Sequence, residues 1–360
     1  MNNRIFYYWL DPLRALSAIL VLICHARSVM FNTYSNLDAS SQNVFTQILY
    51  LICSQGGFAV CMFYILSGFL VGGKTIERGI HGNISARKFF LDRLFRICIP
   101  LTGALALIAI VNLIIDKDCD WIQLIGQYTG LQGVLFVDYG GVFWTLPYEI
   151  WFYVVLFSLL LIFRRSKYII TGVLLFGLAL CVICQLLPRY FYILALGIIC
   201  FNLKDYKIKR AVMRYLWIGV GLLLCIYLSL SIHFVAITFG LENIKWVQPI
   251  SQIMLFTLIA VVLSQYVMKV PTTRISKAIN HYGKSLALFS YTLFLTHYQI
   301  LKLYMAYFPK YDCVNAESVG ALLVVCLICI AMAYIFYLPF EKQTRKIQEY
   351  FVKRFNLLKR

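Results

Sequence analysis

Apolar runs of about 20 residues follow one another along almost the whole chain, and that pattern leaves few ways for it to fold in water. A helix that crosses a hydrocarbon core roughly 30 Å thick needs about 20 mostly apolar residues. About ten runs approach that length: Pro12–Phe31, Val44–Gly72, Ile97–Ile115, Val142–Phe163, Tyr168–Leu187, Tyr190–Leu203, Tyr215–Ile237, Val247–Met268, Ser285–Leu303 and Val319–Phe340. The expected fold is therefore all-α, a polytopic transmembrane helical bundle of about ten helices with both termini cytoplasmic. The sixth run is the shortest, and the second carries Gly56-Gly57, where a break is expected. The first apolar stretch, Ala15 to Phe31, is too long for a secretory signal and has no small-residue cleavage site behind it, so it reads as a membrane helix. Composition matters here because it excludes the alternative. With 61% of residues hydrophobic and 13% charged, the chain cannot cover a water-facing surface, for which soluble domains use about 25% charged residues.

The charges that remain are sorted by loop. Lys and Arg accumulate on the cytoplasmic side of membrane proteins. Starting with Arg4 inside, alternate loops hold Lys74, Arg78, Arg87, Lys88, Arg93 and Arg96, then Arg164, Arg165 and Lys167, then Lys204 to Arg214, then Lys269 to Lys284. The other loops hold only Lys117, Arg189, Lys245 and Lys310. Losing one span would invert everything after it, which supports an even count. The net charge of +18 thus reads as a topology signal with some attraction for anionic lipid; no nucleic-acid partner is expected. Residues 1–340 form the membrane domain, and 341–360 a basic cytoplasmic tail, read as a helix on the membrane surface. No internal repeat, low-complexity tract or appended soluble domain is evident.

Ionisable side chains inside membrane spans are costly and mark function by default. They are Arg14, His25 and Arg27 on the first span, Glu149 on the fourth, His233 on the seventh and His297 on the ninth, with Lys302 near an outer end where it can snorkel. Arg14 and His25 are eleven residues apart, about three helical turns, so they share a face roughly 16 Å apart along the axis. Asp11 is placed to pair with Arg14. Depth counting sets His25, Glu149 and His297 all about 20 Å from the cytoplasmic face. Such a layer suits proton transfer, with a histidine as base and a carboxylate to orient it. Glu149 is equally well placed to pair with Arg27, and a lone His233 reads as a hydrogen-bonding group between helices.

At these residues the chain resembles the acyltransferase-3 family of membrane acyltransferases. Leu10-Asp11-Pro12-Leu13-Arg14-Ala15-Leu16, with His25 after ten intervening residues, is similar to its opening motif. Val60 to Leu70, Arg93-Leu94-Phe95-Arg96, Trp144-Thr145-Leu146-Pro147-Tyr148-Glu149 and Ser290 to His297 resemble four further motifs in the same order. Cys61 stands where the family usually has Asp, Ala59 where it has Gly, Thr296 for a common Trp and Gln299 for a common Pro.

The resemblance implies transfer of an acyl group, usually acetyl, from acetyl-CoA at the cytoplasmic face to a hydroxyl of cell-envelope polysaccharide (O-antigen, capsule or exopolysaccharide) or its lipid-linked precursor, in the bacterial cytoplasmic membrane. Arg14, Arg93 and Arg96 would hold the phosphates of coenzyme A. Ser67 would line the donor channel or pack helices through its Ser-Gly pair. His25 would act as general base or as transient acyl acceptor, Glu149 would tune an imidazole and His297 would assist. A transporter or flippase of lipid-linked sugars would call for repeats and broken helices in matching halves, and none are seen. An acyltransferase with a lipid or small hydrophobic acceptor, or with a succinyl donor, is a second reading, and a non-catalytic bundle a third, against which the presence of His25 and Glu149 argues. Of the twelve cysteines, most lie in apolar spans and act as small hydrophobes. The pairs Cys181/Cys184 and Cys326/Cys329 lack a nearby His or a second motif, so no metal is expected. Cys119 and Cys313 fall in expected external loops, where a disulfide is open to them.

Overall fold

The computed structural model describes residues 6–81, 84–163, 168–231 and 247–357. Among them the regular structure is helical, with isolated bridges and no strand. The helices are α1 Leu10–Met30, α2 Val44–Cys53, α3 Gly56–Ser67, α4 Lys74–Ile80, α5 Ala86–Ile115, α6 Trp121–Gly126, α7 Leu146–Phe163, α8 Ile169–Ile183 and α9 Pro188–Leu203. They continue with α10 Arg210–Ser231, α11 Val247–Tyr266, α12 Arg274–Ala287, α13 Ser290–Tyr307, α14 Ala316–Tyr337 and α15 Thr344–Arg354.

Each expected apolar run contains a helix. Seven helical stretches among the described residues are long and apolar enough to cross a membrane by length and composition. α8 and α9 are apolar but shorter, at 15 and 16 residues. Only 11% of the apolar window of α10 is buried inside the protein. Outward stripes such as Ile170, Leu174 and Leu178 on α8, or Leu323 and Leu327 on α14, are likewise uncovered. A helix apolar on its outer face needs a non-aqueous neighbour.

Two boundaries differ from the pattern in the sequence. The second run breaks at Ser54-Gln55, just before Gly56, and then passes through a π-helical segment, Gly68–Gly73, into α4. The ninth span starts at Ser290 rather than Ser285. Residues up to Ala287 belong to α12, whose polar side chains Asn280 and Lys284 lie beside the chain entering α1. There Asn280 donates to the Tyr8 carbonyl, and Trp9 Nε1 donates to the Lys269 carbonyl at 2.9 Å.

Small residues decide the closest crossing. A Cβ on Gly68 would stand 1.9 Å from the Leu194 carbonyl oxygen, and one on Gly197 2.2 Å from the Ile65 carbonyl oxygen. The backbones of the π segment and α9 therefore touch, as glycine pairs allow in membrane helices. Around this contact a first core gathers residues of α3, α5, α7 and α9, while a second is built by α1, α13 and α14. Phe63 packs against both.

One end of the bundle carries Arg14, Arg93, Arg96 and α4. At the other end, the segments after α1 and after α13 are tied by backbone hydrogen bonds, Tyr311 N to Met30 O at 2.8 Å and Asp38 N to Asp312 O at 2.8 Å. Between α6 and α7, Gln127 Nε2 donates to the Gln123 and Val137 carbonyls at 2.8 and 3.0 Å. The tail segment forms α15 and lies on α5, where Gln348 Nε2 donates to Asp92 at 2.6 Å and the Phe95 and Phe351 rings meet at 5.8 Å.

Candidate active site

A cavity of about 440 Å³ opens among the residues of the basic end. Arg14 reaches it from α1, Ser67 from α3, Lys74 and Arg78 from α4, Arg93 and Arg96 from α5, Glu149 and Tyr153 from α7. Spacing explains the pairs: Arg93 and Arg96 are three residues apart, and Glu149 and Tyr153 four, so each pair shares a helix face. Five cations line the cavity (Arg14, Lys74, Arg78, Arg93, Arg96) against two carboxylates, Asp92 and Glu149. The difference of three positive charges favours an anionic occupant.

The cations are held but not saturated. Arg14 pairs with Asp11 at 3.5 Å, as the spacing predicts. Arg93 lies over the Tyr153 ring at 5.8 Å, and its Nε is buried with no protein partner. Tyr291 Oη is also buried and unpartnered against the same cavity. Glu149 accepts hydrogen bonds from Tyr153 Oη and, at 3.4 Å, from Ser67 Oγ; the two hydroxyls are 3.0 Å apart. Its neighbours are thus hydroxyls, where the sequence suggested an imidazole or Arg27. Arg27 instead lies over the Tyr50 ring at 4.9 Å. Ser67 lines the cavity while the adjacent Gly68 makes the close packing, so the Ser-Gly pair divides the two roles left open for it.

The two histidines meet elsewhere. His25 Nδ1 is 2.9 Å from His297 Nε2, with the rings nearly parallel at 18°. His297 Nδ1 is 2.9 Å from the Leu293 carbonyl. A carbonyl can only accept, so Nδ1 of His297 carries the proton and its Nε2 is the lone-pair nitrogen. Nδ1 of His25 must then be the donor to it, which leaves Nε2 of His25 unprotonated. A backbone oxygen therefore fixes both tautomers in sequence. α1 and α13 pack side by side, which is what brings the pair together.

Beside this pair, Tyr298 sets its ring edge-on to His25 at 5.7 Å and 84°. It is backed by Gly141, where φ is +77° and a Cβ would stand 2.2 Å from the Tyr298 ring. Asp138 holds this loop by accepting from Phe143 N at 2.9 Å and Gly140 N at 3.2 Å. Burial pushes the Asp138 carboxyl above its ordinary value, and those backbone donors pull it back down. Gln299 Nε2 donates to the Gly140 carbonyl at 3.0 Å.

The sequence-predicted residues thus fall into two groups. Arg14, Arg93, Arg96, Ser67 and Glu149 share the cavity; His25 and His297 share a hydrogen bond. Neither histidine is among the residues lining the cavity. His233 lies outside the described residues. Lys302 pairs with Asp116, just past the end of α5, at 2.9 Å and with Asn112 on α5 at 2.8 Å. Cys61 is buried with Gln252 Nε2 at 3.2 Å from its sulfur. Cys119 and Cys313 stand as separate thiols.

Lys74, Arg78, Tyr153 and Glu341 were given no role by the sequence. Lys74 and Arg78 were legible only as loop charges, though their spacing of four marks a common face. Tyr153 was visible as the residue one turn after Glu149. Glu341, beyond the last apolar run, caps the start of α13 by accepting from Thr292 N at 3.1 Å and Thr292 Oγ1 at 2.6 Å; nothing local announces it.

A family model described as an acyltransferase domain matches residues 7–338. The chain matches no curated protein and no solved structure.

Proposed function

The chain belongs to the acyltransferase-3 family, a multi-pass membrane acyltransferase, and from that premise we propose that it moves an acetyl group from acetyl-CoA to a hydroxyl of envelope polysaccharide or its lipid-linked precursor. The observation that carries the reading is the chain from the Leu293 carbonyl through His297 to His25, set beyond a cavity rimmed by Arg14, Arg93 and Arg96. In this reading the basic end is the cytoplasmic face of the bacterial cytoplasmic membrane. Both termini are cytoplasmic and about ten helices cross, in keeping with the loop charges.

The donor's phosphates are held by the three arginines through charge-assisted hydrogen bonds, for which Arg93 Nε has a free donor. Ser67, Tyr153 and Glu149 offer polar partners to the pantetheine arm. Nε2 of His25 takes the proton of the acceptor hydroxyl as that oxygen attacks the thioester carbonyl. The tetrahedral adduct expels the coenzyme A thiolate, which recovers the proton from His25. The products are an ester and a free thiol. While His25 is an imidazolium, its Nδ1–H points at the lone pair of a neutral His297, which supports the charge. In a relay, Nε2 of His25 instead attacks the thioester carbonyl and expels the thiolate; the acceptor hydroxyl then attacks the acetyl-imidazole, its proton passing to the thiolate as the imidazole leaves. Glu149 acts on Tyr153 and Ser67 as a positioning residue rather than on an imidazole.

NMR of envelope polysaccharide from cells with and without the gene should reveal a lost O-acetyl signal. Cells carrying His25→Ala, with the protein still in the membrane at normal level, should match the deletion. Retained acetylation would remove His25 from the mechanism.

A further inference from the structure

On the side of the cavity that faces the histidines, the wall is aromatic. Phe294 lines the cavity and sits three residues before His297 on α13, one turn away, with ring centroids 6.1 Å apart. Phe63 also lines it and closes edge-on against Phe294 at 5.9 Å and 68°. Phe63 is where the core of α3, α5, α7 and α9 meets that of α1, α13 and α14. The two rings therefore stand at the seam that separates the basic cavity from the imidazoles.

The lining combines two chemistries. Arg14, Arg93, Arg96 and the Ser67–Tyr153–Glu149 cluster are charged or polar, whereas Val60 and Leu66, each three residues from Phe63 on α3, are apolar. A charged headgroup belongs with the first set and an apolar acyl group with the second. Phe294 is 9% exposed and fixed by its neighbours, whereas Phe63 is only half-buried and is the ring with room to turn.

We propose that Phe63 and Phe294 form the acyl-selecting constriction of the enzyme: a two-carbon acyl group reaches His25 past them, and longer acyl groups are excluded. This rests on the donor reading above. The rings are packed against each other and against α13, so each added methylene must displace an aromatic side chain. A single methylene in an apolar pocket is worth roughly 10- to 200-fold in discrimination. For butyryl against acetyl, two methylenes longer, the exclusion is expected to reach about 100-fold or more.

The test uses the full-length protein in detergent or liposomes, acetyl-, propionyl- and butyryl-CoA as donors, and polysaccharide extracted from a strain lacking the gene as acceptor. Ester formed on the polysaccharide is measured by mass spectrometry, and the readout is the ratio of kcat/KM for butyryl-CoA to that for acetyl-CoA. Wild type should strongly prefer acetyl. Phe294→Ala and Phe63→Ala should raise the ratio at least about tenfold, with Phe63→Leu in between as the variant least able to disturb folding. A wild type that uses butyryl- and acetyl-CoA equally, or a folded Phe63→Leu and Phe63→Ala pair that leaves the ratio unmoved, would overturn the constriction while leaving the acyltransferase reading intact. A wild type that transfers nothing from any of the three thioesters would overturn both.

Discussion

The basic cavity and the histidine pair share two helices and are built on opposite rules. α1 gives Arg14 to one and His25 to the other; α13 gives Tyr291 to one and His297 to the other. In the cavity polar capacity is left over: Arg93 Nε and Tyr291 Oη are buried without protein partners. In the pair each hydrogen bond has one possible direction, because the series ends on a backbone carbonyl. Spare donors suit a ligand that arrives and leaves, since leaving a buried donor unmade costs about 1–3 kcal/mol that a ligand can recover. A fixed series of donors suits a base that must present the same nitrogen at every turnover.

This contrast predicts that variants of the pair should act on turnover and variants of the cavity on donor affinity. The largest effect is the complete loss expected for His25→Ala. Next comes His297→Ala, which removes the acceptor for His25 Nδ1–H and frees the tautomer. With a saturating donor, kcat should fall about 10²- to 10⁴-fold with little change in KM for acetyl-CoA. His297→Gln, whose amide oxygen can still accept, should recover part of the loss. A His297→Ala enzyme within a few-fold of wild type would break the comparison.

On the cavity side the expected effects are smaller and of another kind. Arg93→Ala removes a charge-assisted donor worth about 1.5–3 kcal/mol, so KM for acetyl-CoA should rise roughly 10- to 100-fold with kcat nearly unchanged. Arg93→Lys should restore charge but not the fork, and only part of the affinity. Smallest of all, Tyr153→Phe takes one hydroxyl from Glu149 while leaving the ring under Arg93. A loss near 1 kcal/mol, about five-fold in KM, is expected in the same steady-state assay. A Tyr153→Phe effect confined to kcat would move Glu149 and Tyr153 from the binding side to the chemistry and blur the line between the two regions.

Much of this was legible in the residues. The match to the acyltransferase-3 family follows the order of motifs from Arg14 to His297, and the break before Gly56 follows from two adjacent glycines in a long apolar run. Depth counting did not assign partners. It set Glu149 level with the histidines and left an imidazole or Arg27 as its partner, whereas Glu149, in the first turn of α7 behind a 3₁₀ turn at Phe143–Thr145, bonds to Ser67 and Tyr153. Counting residues assumes straight helices. Pro100 inside α5, the π segment after Ser67 and the interrupted second run all break that assumption.

The sequence by itself determined the apolar segments, the basic rim and the common face of Arg14 and His25, because helical periodicity is a property of each segment alone and is written at fixed spacings along the chain. Only the tertiary structure decided that His297 would accept the hydrogen bond from His25, that Glu149 would take hydroxyl partners, that Glu341 would return to cap α13, and that Phe63 and Phe294 would stand between the two regions. Those outcomes depend on how each helix is rotated against its neighbours. That rotation is set by contacts such as Gly68 on Leu194, between residues far apart in the chain, and no local pattern records it.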